Sequence, residues 1–280
     1  MTADTVRGLL AEAQAALPGD DARSEAELLL AHALGANRAW LIAHRDDALA
    51  PALAGQMRCC VARRVSGEPV AYIVGRRGFH AVELALTPDV LIPRPETELL
   101  VELALARIPH DRRVEIADLG TGSGAIALAI AQTRPLAQVL ATDASTAALD
   151  VARGNAQRLG LSNVAFAQGD WCAALNAQRF ELIVSNPPYI AEGDEHLLQG
   201  DLRFEPRAAL ASGADGLDAI RAIVRDARNH LNAGGWLLLE HGFDQGAAVR
   251  VLLQQSGFAD VFTARDLESR ERVSGGRYRA

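Results

Sequence analysis

From about residue 91 onward, strand-like and helix-like runs alternate, and that alternation leaves few folds open. The strand-like runs are 114–119, 139–142, 164–167, 182–185, 236–240 and 261–263. The helix-like runs are 96–108, 125–132, 146–159, 217–230 and 245–255. A strand, a helix and a second strand in succession close as a parallel pair with the helix on one face of the sheet. The expected class is α/β, a doubly wound Rossmann-like sheet over residues 91–280.

The preceding residues follow other periods. Val6, Leu9, Leu10, Ala13 and Leu17 fall on one helical face, and Pro18-Gly19 ends that helix. Residues 26–34 read as a second helix closed by Gly35, and 51–66 as a third, with Pro51 in its first turn and Gly67 past its end. Between 75 and 88 the period becomes two, through Phe79, Val82, Leu84 and Leu86, which predicts a hairpin. The expected organisation is a helical domain over 1–74, a β-hairpin connector over 75–90 and the α/β domain. The sequence contains no internal repeat.

Composition narrows the function classes. With 28 basic and 35 acidic residues the net charge is −7, which argues against a protein that coats nucleic acid. Every basic residue is arginine, so a Schiff-base or P-loop lysine is excluded. Cys59, Cys60 and Cys172 show no metal spacing and read as reduced packing residues of a cytoplasmic protein. Met1-Thr-Ala-Asp4 has no basic stretch before an apolar one, so no signal peptide is expected. No apolar run approaches the ~20 residues of a membrane span. We expect no metal, no membrane association and no direct nucleic-acid partner.

The first α/β strand ends in Asp118-Leu-Gly120-Thr121-Gly122-Ser123-Gly124. Glycines there let the backbone turn tightly and approach a ligand, with the next helix's N-terminus behind it. With Ala125 the loop also fits the dinucleotide pattern, but Asp118 suits an amino group and repels a pyrophosphate. Asp143 ends the next strand, where its carboxylate can accept both hydroxyls of a ribose. Asp170 and Trp171 close the third, where a carboxylate and an indole can flank an adenine.

Asn186-Pro187-Pro188-Tyr189 follows the apolar run 180–184. In this fold the fourth strand neighbours the first, so the motif stands beside the glycine loop. An amide or arylamine nitrogen is a poor nucleophile because its lone pair is delocalised. The Asn186 side-chain carbonyl and the Pro187 backbone carbonyl can accept its N–H bonds and aim that lone pair. The prolines hold the acceptors still, and Tyr189 offers a flat face. Catalysis of this kind is positioning and electrostatics, with no nucleophile on the protein. His241, after residues 237–240, reads as a loop residue, and Glu240 receives no part in the chemistry.

Together, these two motifs resemble the class I methyltransferases that use S-adenosylmethionine and modify amino nitrogens. Leu91-Ile-Pro-Arg-Pro-Glu-Thr-Glu98, Gly169-Asp-Trp171, Glu205-Pro206 and Asp215-Gly-Leu217 narrow the resemblance to the HemK-type release factor glutamine methyltransferases. It spans nearly the whole chain, although residues 1–70 match in pattern more than in motif. The resemblance implies that Gly120, Thr121, Gly122, Ser123, Gly124, Asp143, Asp170, Trp171 and Asn186 hold S-adenosylmethionine. It implies that Asn186, Pro187, Pro188 and Tyr189 hold a glutamine amide, with Asn186, Pro187 and Tyr189 catalytic. The segment 91–98 then shapes the pocket entrance, and the helical domain docks the protein substrate. The implied partners are class I peptide chain release factors, methylated in their Gly-Gly-Gln loop by a monomeric enzyme.

The same catalytic motifs fit a ribosomal-protein glutamine methyltransferase. An adenine N6-methyltransferase shares Asn-Pro-Pro-Tyr, but the acidic balance and the lack of a target-recognition domain count against base flipping. A nicotinamide-linked oxidoreductase explains the glycine loop and gives Asn186 to Tyr189 no role. A non-catalytic binding module leaves both halves of the site unexplained.

Overall fold

Five helices fill the first of the two units into which the chain divides: α1 (Val6–Ala16), α2 (Ala22–Leu34), α3 (Arg38–Ala43), α4 (Pro51–Val65) and α5 (Val70–Val74). The structure is a computed structural model that describes residues 4–279, and the first unit runs to Arg76. Thr5 Oγ1 accepts from Gly8 N at 3.1 Å to start α1, and Asn37 Oδ1 accepts from Trp40 N at 2.9 Å to start α3. Gly35, at φ +61°, closes α2. Val6, Leu9, Leu29, Leu30 and Met57 form the centre of this unit's core. The second helix starts four residues before the expected 26, since Ala22 already packs into that core. Helices α3 and α5 span six and five residues, too short for a periodic signal.

The second unit, from Arg77, contains most of the hairpin β1 (Arg76–Phe79) and β2 (Val82–Ala85). Phe79, Val82 and Leu84 are buried, as the period of two predicts. Asn155, fully buried on α8 (Thr146–Leu159), grips the end of this hairpin. Its Oδ1 accepts from Ala85 N at 2.7 Å, and its Nδ2 donates to the Ala85 carbonyl at 3.0 Å and the Ser123 carbonyl at 2.9 Å.

A seven-stranded sheet forms the body of the second unit. Its strands are β3 (Glu115–Leu119), β4 (Gln138–Asp143), β5 (Val164–Gln168), β6 (Phe180–Ser185), β7 (Leu231–Glu240), β8 (Phe258–Arg265) and β9 (Glu271–Tyr278), in the order β5-β4-β3-β6-β7-β9-β8. The first five in that order are mutually parallel. The remaining helices are α6 (Glu98–Leu105), α7 (Ala125–Thr133), α9 (Asp218–Ala227) and α10 (Gly246–Gln255). The chain winds outward through β4 and β5, then returns to the other side of β3, which makes a switch point between β3 and β6.

Strand β9 has no counterpart among the expected strands. It lies antiparallel between β7 and β8, and its Ser274-Gly275-Gly276 stretch carries none of the apolar alternation by which strands are recognised. The glycines have a packing cause. A Cβ on Gly275 would come within 2.8 Å of the Phe262 ring, and one on Gly276 within 2.8 Å of Phe258 Cβ. Neighbouring side chains already fill the space.

Register decides where the site lies. Leu119 pairs with Thr142 on one side and Ser185 on the other, and Ser185 pairs with Leu239. One residue further along each strand, Gly120, Asp143, Asn186 and Glu240 therefore line up along the carboxyl edge of the sheet.

Candidate active site

The glycine loop is fastened to β4 from behind. Gly120 N and Thr121 N both donate to the Thr142 carbonyl, at 2.9 and 2.8 Å, and Gly122 N donates to Asp143 Oδ2 at 2.9 Å. Gly120 has φ +73°, and a Cβ on it would lie 3.2 Å from Trp171 Cζ3. The backbone thus rests directly on the indole, where no side chain fits. Gly124, at φ +87°, serves packing instead: a Cβ there would meet Leu128 Cδ1 at 2.8 Å and Ala152 Cβ at 3.3 Å.

Asp118 is wholly buried beneath this loop. Its Oδ2 accepts from Thr121 Oγ1 at 2.7 Å and from Ala127 N at 3.2 Å, which ties the loop to the first turn of α7. Oδ1 has no hydrogen-bond partner among the described residues. Burial pushes its pKa to about 7 against those two hydrogen bonds, and nearby Asp143 adds to the rise. Asp143 itself accepts from Gly122 N through Oδ2 and from Ser145 N through Oδ1, both at 2.9 Å. Each carboxylate oxygen keeps a further lone pair for a ligand hydroxyl.

A cavity of about 250 Å³ opens in front of the loop. Gly120, Gly122, Asp143, Asp170, Trp171, Asn186 and Pro188 share its wall with Leu91 and Pro206. Thr121 and Ser123 are buried and lie off that wall, as do Gly124, Pro187 and Tyr189. Trp171 sits at φ +44°, a conformation that strains a residue with a side chain by about 1–2 kcal/mol. That backbone turn sets the indole between Gly120 and the cavity.

The Asn186 side chain is anchored through its nitrogen: Nδ2 donates to Thr97 Oγ1 at 3.1 Å. Neither Asn186 Oδ1 nor the Pro187 carbonyl accepts a hydrogen bond from any described residue. Tyr189 is fixed at both ends. Its carbonyl accepts from Gln245 Nε2 at 3.0 Å, and its hydroxyl makes a long 3.5 Å contact to Glu240 Oε1. Burial is the main influence on the Tyr189 phenol and raises its pKa, with Glu240 adding to it.

Glu240 is fully buried, and burial pushes its carboxyl to about 7. The Thr97 hydroxyl and Arg272 act against that rise, while Oε2 has no partner among the described residues. The 91–98 segment gains its place from a second buried acid. Glu205 Oε2 accepts from Ile92 N at 3.2 Å, and Oε1 pairs with Arg94, which brings Leu91 and Pro206 to one cavity. Burial raises the Glu205 pKa in spite of Arg94.

Thr97 is a residue that sequence reasoning passed over, and Glu240 is one that it set aside. A signal existed for Glu240: an acid ending the apolar run 237–239, on the strand beside the one that carries Asn186, has to be buried. Thr97 gave none, since its partner lies 89 residues away. His241 is likewise fully buried, with Nε2 2.8 Å from Ser274 Oγ and Nδ1 2.8 Å from the Gly242 carbonyl. Burial lowers its pKa. It joins β7 to β9 and does not line the cavity.

Known proteins resemble the chain over most of its length. The PrmC N-terminal domain family matches residues 8–75, and the methyltransferase small domain family matches 96–256. A release factor glutamine methyltransferase of Xylella fastidiosa is 58% identical over 255 residues, covering 91% of this chain and 93% of its own. One of Bordetella pertussis is 54% identical over 255 residues, with coverages of 91% and 94%. A solved methyltransferase structure from Pyrococcus furiosus superposes with a TM-score of 0.55 at 17% identity, over 78% of this chain and 98% of that one, a likeness of fold.

Proposed function

The chain belongs to the release factor glutamine methyltransferases, and on that premise we propose which atoms of its carboxyl edge perform the reaction. It methylates the side-chain amide nitrogen of a release factor glutamine. The donor is S-adenosylmethionine, which supplies a methyl group carried on a positively charged sulfur. The target is the glutamine of the Gly-Gly-Gln loop.

The residues present suit this donor. The loop backbone at Gly120 and Gly122 admits close approach, and Asp143 has lone pairs left for ribose hydroxyls. The indole of Trp171 and the carboxylate of Asp170 face the same cavity and suit an adenine. Asp118 lies buried behind the loop with Oδ1 unpartnered among the described residues, and a nearby cationic ligand would favour its ionised form.

A single observation carries the substrate half. Asn186 is held by its nitrogen, so its carbonyl oxygen and the Pro187 carbonyl remain two acceptors without internal donors. A primary amide has two N–H bonds to give them. Accepting both draws the amide nitrogen toward a pyramidal shape and frees its lone pair for attack. The acceptors are already in place, so little reorganisation opposes the transition state. Tyr189 and Pro188 flank the amide plane.

The test is incubation with labelled S-adenosylmethionine and, separately, purified class I release factor, ribosomal proteins and DNA. Mass spectrometry then locates the methyl group. We expect it on the Gly-Gly-Gln glutamine, with labelling abolished when that glutamine is replaced. A methyl group on a ribosomal protein with the release factor unmodified would reassign the substrate, and labelled DNA would reject a protein substrate altogether.

A further inference from the structure

Gln245 stands at the N-cap of α10 and spends its whole side chain on backbone groups. Its Oε1 accepts from Gly242 N at 2.9 Å, and its Nε2 donates to the Tyr189 carbonyl at 3.0 Å and the Asp215 carbonyl at 3.3 Å. One amide thereby fastens three stretches together: the end of Asn-Pro-Pro-Tyr, the turn at Asp215-Gly-Leu217 and the loop after β7. Its donors meet carbonyls and its acceptor meets an N–H, so the side chain fits in one orientation only. Gly216 closes on the same point. It has φ +75°, and a Cβ on it would run into the Tyr189 carbonyl and come within 2.8 Å of Gln245 Nε2.

The consequence lies two residues upstream of Tyr189. Asn186 and Pro187 each precede a proline, which holds both in extended backbone, and the rings fix φ at Pro187 and Pro188. The stretch 186–188 is therefore stiff and swings only about its ends. The pairing of Ser185 with Leu119 and Leu239 holds the upstream end, together with the hydrogen bond from Asn186 to Thr97. Downstream, Gln245 and Gly216 hold the Tyr189 carbonyl. Ile190, next along, exchanges hydrogen bonds with the Leu210 carbonyl and Ser212 N, both at 2.9 Å. A stiff stretch held at both ends points its middle carbonyl, that of Pro187, in one direction.

We propose that Gln245 is a positioning residue for the methyl transfer: by holding the Tyr189 carbonyl, it aims the Pro187 carbonyl at the substrate nitrogen. The inference rests on Asn186 and Pro187 being the two acceptors for the substrate amide. Gln245 does not line the cofactor cavity, so its effect falls on turnover and not on cofactor binding.

The test uses the full-length enzyme, S-adenosylmethionine and a purified class I release factor. Gln245→Met keeps the bulk and removes every hydrogen bond of the amide. Gln245→Glu keeps the length and the acceptor for Gly242 N, but at alkaline pH it has no hydrogen for either carbonyl. Both lower kcat by about tenfold or more, since a displaced reacting geometry costs rate on this scale. Cofactor Kd and the KM for release factor stay within about threefold of wild type. Gly216→Ala, which presses a methyl group on the Tyr189 carbonyl, gives the same split. A merely structural cap predicts otherwise: Gln245→Glu turns over like wild type, or cofactor affinity falls together with turnover. Either result overturns the proposal, as does Gln245→Met turning over within about threefold of wild type. Circular dichroism checks that each variant folds, and should the methionine variant not fold, Gln245→Glu decides alone. Asn186→Ala in the same series separates the two ideas. If it stays active, the acceptor reading fails and the positioning role with it. If it is inactive while Gln245→Met is active, only the role of Gln245 fails.

Discussion

The two halves of this site are built by different means. On the β3–β4 side, geometry comes from backbone: left-handed glycines, loop amides that donate to the Thr142 carbonyl, and an amide turned onto Asp143. On the β6–β7 side it comes from side-chain contacts between separate elements, Asn186 to Thr97 and Tyr189 to Glu240. A backbone cradle is specified by residue types close together in sequence. A side-chain clamp is specified by residues that meet only after folding. The first tolerates little change at its glycines but depends on few distant partners. The second depends on partners far apart in the sequence, as Asn186 and Thr97 are.

Breaking the clamp at Asn186 gives the largest effect. Asn186→Ala removes one preorganised acceptor, for which losses of about 100-fold or more in turnover are typical. Steady-state assays on release factor check this, and turnover within about threefold of wild type would show that the acceptor lies elsewhere.

Breaking the cradle gives a smaller effect, expressed in binding. Asp143→Ala takes away the carboxylate offered to the ribose, and the loss amounts to about 1.5–3 kcal/mol of cofactor affinity, the range for a hydrogen bond to a charged group. Titration calorimetry reads it directly. Unchanged affinity would assign the ribose to another group.

The smallest effect sharpens the comparison through stability. Glu240 ionises at about 7 in the folded chain against an ordinary 4.5. Between those values the folded state holds a proton that the unfolded chain has released. Stability is therefore full below the lower value, declines as pH rises toward the upper one, and is level beyond it. Glu240→Gln removes that contribution, so its thermal midpoint drops less than that of wild type between about pH 5 and about pH 8. Asp118 behaves alike in both proteins and cancels in the difference. Parallel curves would mean that Glu240 is not held protonated by its surroundings.

The same division explains what could be read before the fold was known. Gly120 to Gly124, Asp143 and Asn186 to Tyr189 are visible as strings, because each string answers a local constraint on the backbone. Helix α8 was legible end to end, since Ser145 caps it and Gly160 closes it. Strand β9 was hidden, because its glycines make room for Leu238, Phe258 and Phe262 and leave no apolar pattern of their own. Thr97 was hidden within 91–98, a segment whose prolines and acids also suit a plain helix start. Asn155 looked like an ordinary residue of a helix, yet it joins the hairpin to the Ser123 carbonyl across 32 residues. Of the 120–124 loop, only Gly120 and Gly122 reach the cavity, a distinction that depends on which way each peptide faces.

The claim that cradle and clamp are separate devices stands or falls on the cofactor affinity of Asn186→Ala. Titration of that variant with S-adenosylmethionine measures it in the absence of any substrate. Separate devices predict a Kd within about threefold of wild type beside the ~100-fold loss of turnover. Cofactor affinity that collapses in step with turnover would contradict the account, making Asn186 a holder of the cofactor and not of the substrate amide.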